Sequence, residues 1–265
     1  MMTTKISLIT GGASGIGLAF AEQLASRGHN LILVDKSADG LDRAGVDIRQ
    51  RYRVQVDTLT ADLADASDVE MVEQKISDTG LNVLVNNAGF CTAGMFTEAP
   101  LKGQLDLIAV HCIAPMRFCK AAIPRMMEHH YGRIINVCSI SAFCRFPRTV
   151  GYSATKGYLW IMSECLQVEL VGSGVKVQAL CPGWVRTNIN AALPKDTFDP
   201  SKIPGFLWTE PRNLVEMSLR ALERSNRVLF IPRLRDKIVV LAFGSRIGLK
   251  LLAIYRRIRF AIARR

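Results

Sequence analysis

Short apolar runs alternate with longer stretches of helical periodicity along most of the chain. The pattern predicts strands near 5–10, 30–35, 54–61, 82–87, 133–138, 175–181 and 228–231. It predicts helices over 15–27, 65–78, 102–128, 152–171 and 211–223. Strands that alternate with helices in this way argue for an α/β fold built on a doubly wound parallel sheet. No internal repeat or low-complexity linker interrupts the pattern. The expectation is therefore one domain over residues 1–232, followed by an extension, 233–265. Helices 102–128 and 152–171 carry apolar residues beyond one stripe, among them Leu105, Ile108, Cys112, Met116, Leu159, Ile161 and Leu166. Such helices are buried on more than one side, against either a large core or a second subunit.

Composition adds little until the cysteines and the charge are considered. At 265 residues and 49% apolar, the chain can enclose a single large α/β core. Seven cysteines without a Cys-x-x-Cys pair or zinc-like spacing point to free thiols in a reducing, cytoplasmic setting and to no metal centre. The first strand begins within five residues of Met1, so no signal peptide is expected. The charge is unevenly placed. Residues 233–265 hold ten Lys/Arg and one acid, Asp236, so this stretch carries nine of the net +11 charges. From Arg246 onward, Ile247, Leu251, Ile254, Tyr255, Ile258 and Ile262 share one helical face, and Arg246, Lys250, Arg257 and Arg264 share another. The apolar run 238–243 is too short to span a bilayer. A basic amphipathic helix suits an anionic membrane surface; packing on a subunit and covering a substrate pocket are the alternatives. No recognition motif for nucleic acid accompanies the charge.

Two groups of residues carry chemistry. The strand ending at Thr10 runs into Gly11-Gly12-Ala13-Ser14-Gly15-Ile16-Gly17 and then into a helix. Glycines at a strand-to-helix turn permit close backbone approach, and the helix N-terminus offers N–H groups to a pyrophosphate. Asp35, at the end of the second strand, can accept hydrogen bonds from a ribose and would repel a 2′-phosphate, which favours NAD over NADP; Ser14 agrees, while Lys36 argues weakly the other way. Farther along, Tyr152 and Lys156 stand four apart, on one helix face, with Ser139 thirteen positions before the tyrosine. An ammonium beside a phenol favours phenolate and makes the tyrosine a proton acceptor near neutral pH.

Taken together with Asp62-Leu63, Asn86-Asn87-Ala88-Gly89 and Pro182-Gly183 followed by Thr187, these motifs resemble the short-chain dehydrogenase/reductase family over about residues 5–232. The resemblance implies a Rossmann-type domain with a seven-stranded parallel sheet. It also implies an oxidoreductase that moves a hydride between NAD(P) and a secondary alcohol or ketone. Tyr152 would be the general acid/base, Ser139 would orient the substrate oxygen, and Lys156 would hold the nicotinamide ribose and lower the tyrosine pKa. Gly11, Ser14, Gly15, Ile16, Gly17, Asp35, Asp62, Leu63, Asn87, Ala88, Gly89, Pro182, Gly183, Val185 and Thr187 would border the cofactor, with Asp62 against adenine, Asn86 to Gly89 along the adenosine side and Thr187 on the nicotinamide carboxamide. Thr10 would be a structural residue of the turn.

The same resemblance exposes one departure. Where relatives carry an asparagine that holds a proton-relay water, this chain has His111. An adapted but working relay is expected, with the imidazole making a hydrogen bond or shuttling protons. His29, His129 and His130 read as surface residues. By resemblance, Phe90, Phe143, Phe146, Trp184 and Met95 would line an apolar pocket for a lipophilic substrate, with Arg145 and Arg148 nearby. The segment 188–210 would be the substrate lid. The resemblance further implies a homodimer or homotetramer. A second reading is a nucleotide-binding adaptor that has lost its chemistry and docks to a membrane or partner through its tail.

Overall fold

A computed structural model describes residues 5–92, 94–144, 148–187, 189, 199, 201, 203–245 and 248. Arg145, Phe146, most of the 188–210 segment and the amphipathic pattern beyond Arg246 therefore lie outside the described residues.

Seven parallel strands form one sheet: β1 (Ile6–Thr10), β2 (Asn30–Asp35), β3 (Val56–Thr60), β4 (Val83–Asn86), β5 (Gly132–Val137), β6 (Val175–Leu180) and β7 (Leu229–Phe230). Their order is β3-β2-β1-β4-β5-β6-β7, and every pairing is parallel. Chain order reverses between β1 and β4, which opens a crevice at the carboxyl ends of the strands. Helices α1 (Gly15–Ala25), α2 (Ala38–Tyr52), α3 (Ala66–Asp78), α4 (Leu101–Ile108), α5 (Ala114–Glu128), α6 (Val150–Glu169), α7 (Pro211–Arg224) and α8 (Leu234–Gly244) accompany the sheet. One apolar cluster joins α1, α2 and α7 to one face of the sheet, and another joins α3 and α5 to the opposite face. These two layers are what the doubly wound expectation requires.

Three differences from the sequence reading have physical causes. Helix α2 is absent from the predicted set because it is polar and its buried stripe, Gly40, Leu41, Ala44, Gly45 and Ile48, contains two glycines and an alanine. Its start is fixed instead by the Ser37 side chain, which accepts the Gly40 N–H at 3.2 Å. The helix expected over 102–128 is interrupted by a π-helical turn, Ala109–Ile113, between α4 and α5. That turn carries His111. Residues Leu101–Glu128 are long and apolar enough to cross a membrane, but half of the qualifying window is buried inside the domain, as in the core helix of a soluble protein.

The third difference concerns the extension. Helix α8 falls after residue 232 yet is bound to the domain: Val239 and Val240 pack with Phe143 and Trp160 around Cys138, Leu159 and Cys181. Asp236 is buried and accepts a hydrogen bond from the Gly183 backbone. Burial pushes its carboxyl pKa up, against the pull of Arg235 and that hydrogen bond. Arg235 reaches the carbonyl oxygens of Phe206 and Trp208 and, at 2.7 Å, Thr209 Oγ1. The start of the extension thus braces both the Pro182-Gly183 turn and the segment that re-enters the fold at Thr209.

Candidate active site

The glycine turn leaves β1 at the crevice. Gly11 has φ +65° and Gly15 φ +56°, values that L side chains avoid. A Cβ at Gly17 would lie 2.0 Å from the Gly11 carbonyl oxygen, so glycine there lets α1 close onto the turn. Ser14 precedes α1 with no side-chain cap hydrogen bond, which leaves the helix N-terminus open to an anion. At the end of β2, Asp35 accepts the Ala13 N–H and the Ser37 N–H, both at 3.1 Å, so the carboxylate is pinned beside the same turn. Thr187 stands across from it: a Cβ at Gly15 would meet Thr187 Cγ2 at 3.1 Å. The cradle, the uncapped helix and the fixed carboxylate fit a dinucleotide.

The exit of β4 is tied to that of β1. Thr10 Oγ1 accepts the N–H groups of Asn87 and Ala88, each at 3.0 Å, and Asn87 Nδ2 donates to the Thr10 and Gly11 carbonyls at 2.9 and 3.2 Å. Thr10 is structural, as expected. The Asn86 side chain, expected along the adenosine side, points into the core instead, where Nδ2 donates to Asn136 Oδ1 at 2.8 Å; Asn136 Nδ2 in turn donates to Ser163 Oγ at 2.8 Å. This buried chain joins β4, β5 and α6, and sequence reading missed it, because Asn136 inside an apolar strand was its only signal. Asp62 is exposed at the carboxyl end of β3 and Leu63 is buried.

Ser139 follows β5 directly, and its Oγ accepts the Ser141 N–H at 3.1 Å. It neighbours Tyr152, which α6 presents from its first turn. Lys156 lies one turn on, with Nζ 5.8 Å from the Tyr152 ring centre and donating to the Val137 carbonyl at 2.8 Å. The structure brings all three together at the carboxyl edge of the sheet. The electrostatics differ from expectation: burial pushes the Tyr152 phenol above its ordinary pKa, the Ser139 hydroxyl opposes that rise, and Lys156 does not acidify the phenol here. The same burial lowers Lys156.

His111 is 1% exposed, and desolvation followed by the Lys156 charge holds its pKa well below the ordinary value. His29, expected at the surface, is buried with Nδ1 2.7 Å from Ser7 Oγ. Of the pocket candidates, Phe143 packs on Trp160 with ring centres 4.4 Å apart, and Phe90 packs against the α3/α5 core. Trp184 remains part-open, 6.1 Å from the Trp208 ring. Val185 is buried and bridges to Thr209, which closes the base of the 188–210 segment. Pro182 accepts the Ile140 N–H at 3.1 Å.

A parallel sheet whose crevice holds a glycine cradle, an acid ending β2 and a Ser–Tyr–Lys set defines a dinucleotide-binding protein of the Rossmann type. A family model for short chain dehydrogenases matches residues 5–197, and the chain belongs to that family. It is 31% identical over 200 residues to a very-long-chain 3-oxoacyl-CoA reductase of Bos taurus, an alignment covering 73% of this chain and 63% of that one. It is 32% identical over 188 residues to the inactive hydroxysteroid dehydrogenase-like protein 1 of Homo sapiens, covering 70% and 57%. The chain thus spans less than two thirds of these relatives. A short-chain dehydrogenase from Sphingobium yanoikuyae, solved in complex with NADPH, superposes with a TM-score of 0.81 at 32% identity, covering 93% of this chain and 95% of that one.

Proposed function

We propose that the protein is an NAD(P)-dependent oxidoreductase that interconverts a lipophilic secondary alcohol and its ketone, with Tyr152 as general acid/base. The observation that carries this reading is the convergence of Ser139, Tyr152 and Lys156 at the carboxyl edge of the sheet, with Lys156 one turn from Tyr152, beside the glycine cradle. When bound, the nicotinamide supplies the hydride acceptor or donor. Ser139 orients the substrate oxygen. In the reductive direction the protonated Tyr152, whose phenol burial holds neutral, gives that oxygen its proton; in the oxidative direction Tyr152 takes it. The Asp35 carboxylate supports a preference for NAD, against the NADPH found in the Sphingobium relative.

Tyr152→Phe is expected to lower turnover at least ~10³-fold on any substrate found in a panel of hydrophobic alcohols and ketones, with cofactor affinity unchanged. Residual turnover within about tenfold of the parent would exclude Tyr152 as the proton carrier. The adaptor reading keeps one supporting observation, the relative whose name describes it as inactive. Cofactor binding without turnover across the panel would favour it.

Assembly and location follow from open apolar faces. Leu105, Ile108 and Met116 from α4 and α5, and Tyr158, Ile161 and Val168 from α6, are exposed in the single chain, which supports a homo-oligomer built on these helices. On α8, Leu234, Ile238 and Leu241 recur at helical spacing and are 58–76% exposed, next to Phe206 at 73%. With the basic sequence that follows, this face supports contact with an anionic lipid surface. Removing residues 246–265 while keeping α8 is expected to abolish co-sedimentation with phosphatidylglycerol vesicles. Undiminished binding would remove the tail from that role.

A further inference from the structure

His111 touches three parts of the site at once. Its Nε2 accepts the Phe90 N–H at 3.2 Å, on the loop that leaves β4. Its Nδ1 lies 2.9 Å from Thr155 Oγ1, on α6. Its ring meets the Tyr152 ring edge-on, 5.7 Å between centres and at 78°. A backbone amide can only donate, so Nε2 is the unprotonated nitrogen and the ring hydrogen sits on Nδ1. Nδ1–H therefore donates to Thr155 Oγ1, and the threonine hydroxyl hydrogen passes on to the Tyr152 carbonyl at 3.1 Å. Both ring nitrogens are committed. Gly89 is what admits the ring, because a Cβ there would lie 2.6 Å from Nε2.

The chain has an obvious use for such a bridge. The Ala88-Gly89-Phe90 loop borders the cofactor crevice, while Tyr152 and Lys156 project from α6. Their separation sets the distance between cofactor and proton donor. The π-helical turn Ala109–Ile113 gives the imidazole its place between them.

We propose that His111 is a positioning residue, a neutral imidazole of fixed tautomer that spaces the β4 exit loop from the Tyr152 helix, and that it relays no proton in the reaction. This rests on the oxidoreductase reading for its consequence but not for its geometry. Desolvation of the ring and the adjacent Lys156 charge, which keep it neutral, agree with the assignment.

The first test needs no turnover. In ¹⁵N-histidine-labelled protein, with the His111 signals assigned by their loss in His111→Gln, the proposal expects a protonated Nδ1 and a bare Nε2, unchanged from pH 6 to 8. An imidazolium pattern, the opposite tautomer or tautomer averaging in that range would overturn it, whatever the enzyme's activity. The second test uses turnover once a substrate is known. His111→Ala and Thr155→Val break the same strut from its two ends, so each is expected to lower kcat about 10²-fold and the double variant no further. The inflections of the kcat–pH profile should stay where they are. Additive losses, or an inflection lost with the imidazole, would overturn the proposal. Should no turnover be found at all, the oxidoreductase reading fails while the tautomer result still decides the strut.

Discussion

Asp35 shows how one side chain holds both a structural and a selective role. Its two carboxylate oxygens each accept a backbone N–H, from Ala13 and Ser37, so the acid is fixed at the rim of the glycine turn before any ligand arrives. A fixed negative charge there accepts ribose hydroxyls and opposes a 2′-phosphate. Replacing it by alanine would confound selectivity with loss of the turn. Asp35→Asn keeps the acceptor oxygen and removes the charge. The variant is expected to shift the NADP-to-NAD ratio of kcat/KM upward by about 10-fold, the size of one charge-assisted contact. An unchanged ratio, measured side by side with both cofactors, would place the discrimination elsewhere. The residues that carried the site in the sequence are those whose chemistry is rare in their setting: glycines packed into a turn, an acid ending an apolar strand, and a tyrosine four before a lysine. His29 was not legible, because a lone histidine beside Arg27 and Gly28 looks solvated until the strand placing Ser7 under it is known.

At the scale of elements, periodicity located every strand of the sheet and most helices, since apolar runs bounded by glycine and polar residues need no tertiary knowledge. It failed where burial is achieved with few large apolar side chains. Helix α2 buries only two large apolar residues, Leu41 and Ile48, among two glycines and an alanine, and the π-helical turn inside 102–128 differs from an α-helix by one residue of winding that no 3.6-residue pattern resolves. The Asn86–Asn136–Ser163 chain is of the same kind, because a polar residue in a strand reads as noise until its partner is across the sheet. Its energetic weight is testable. Asn136 is 0% exposed and joins Asn86 on β4 to Ser163 on α6. Asn136→Ala leaves a buried amide and a buried hydroxyl each short of a partner, so urea unfolding is expected to show a loss of about 2–4 kcal/mol. A loss below about 0.5 kcal/mol would mean that the network stabilises nothing.

The whole molecule adds a dependence on pH that no single element displays. His29 is 6% exposed against the start of β1, and burial first, then the charges of Lys5 and Arg27, lower its pKa from 6.5 to about 4. The folded state therefore favours the neutral ring. The stability this contributes is complete above pH 6.5, the unfolded value, and is lost as pH falls toward about 4. At about 1.4 kcal/mol per unit, the loss is on the order of 3 kcal/mol. His111, also lowered by burial and then by Lys156, pushes in the same direction. Carboxylates titrate over the lower part of this window, so the wild-type curve alone cannot assign the loss. His29→Gln removes one titration and keeps a hydrogen-bonding side chain near Ser7. Urea midpoints taken at half-unit steps from pH 7 to 4 should fall more steeply in the wild type than in the variant, by a difference of about 1–3 kcal/mol over the range. Parallel curves would mean that the buried imidazole is protonated in the folded state at little cost, and the acid sensitivity would then belong to the carboxylates.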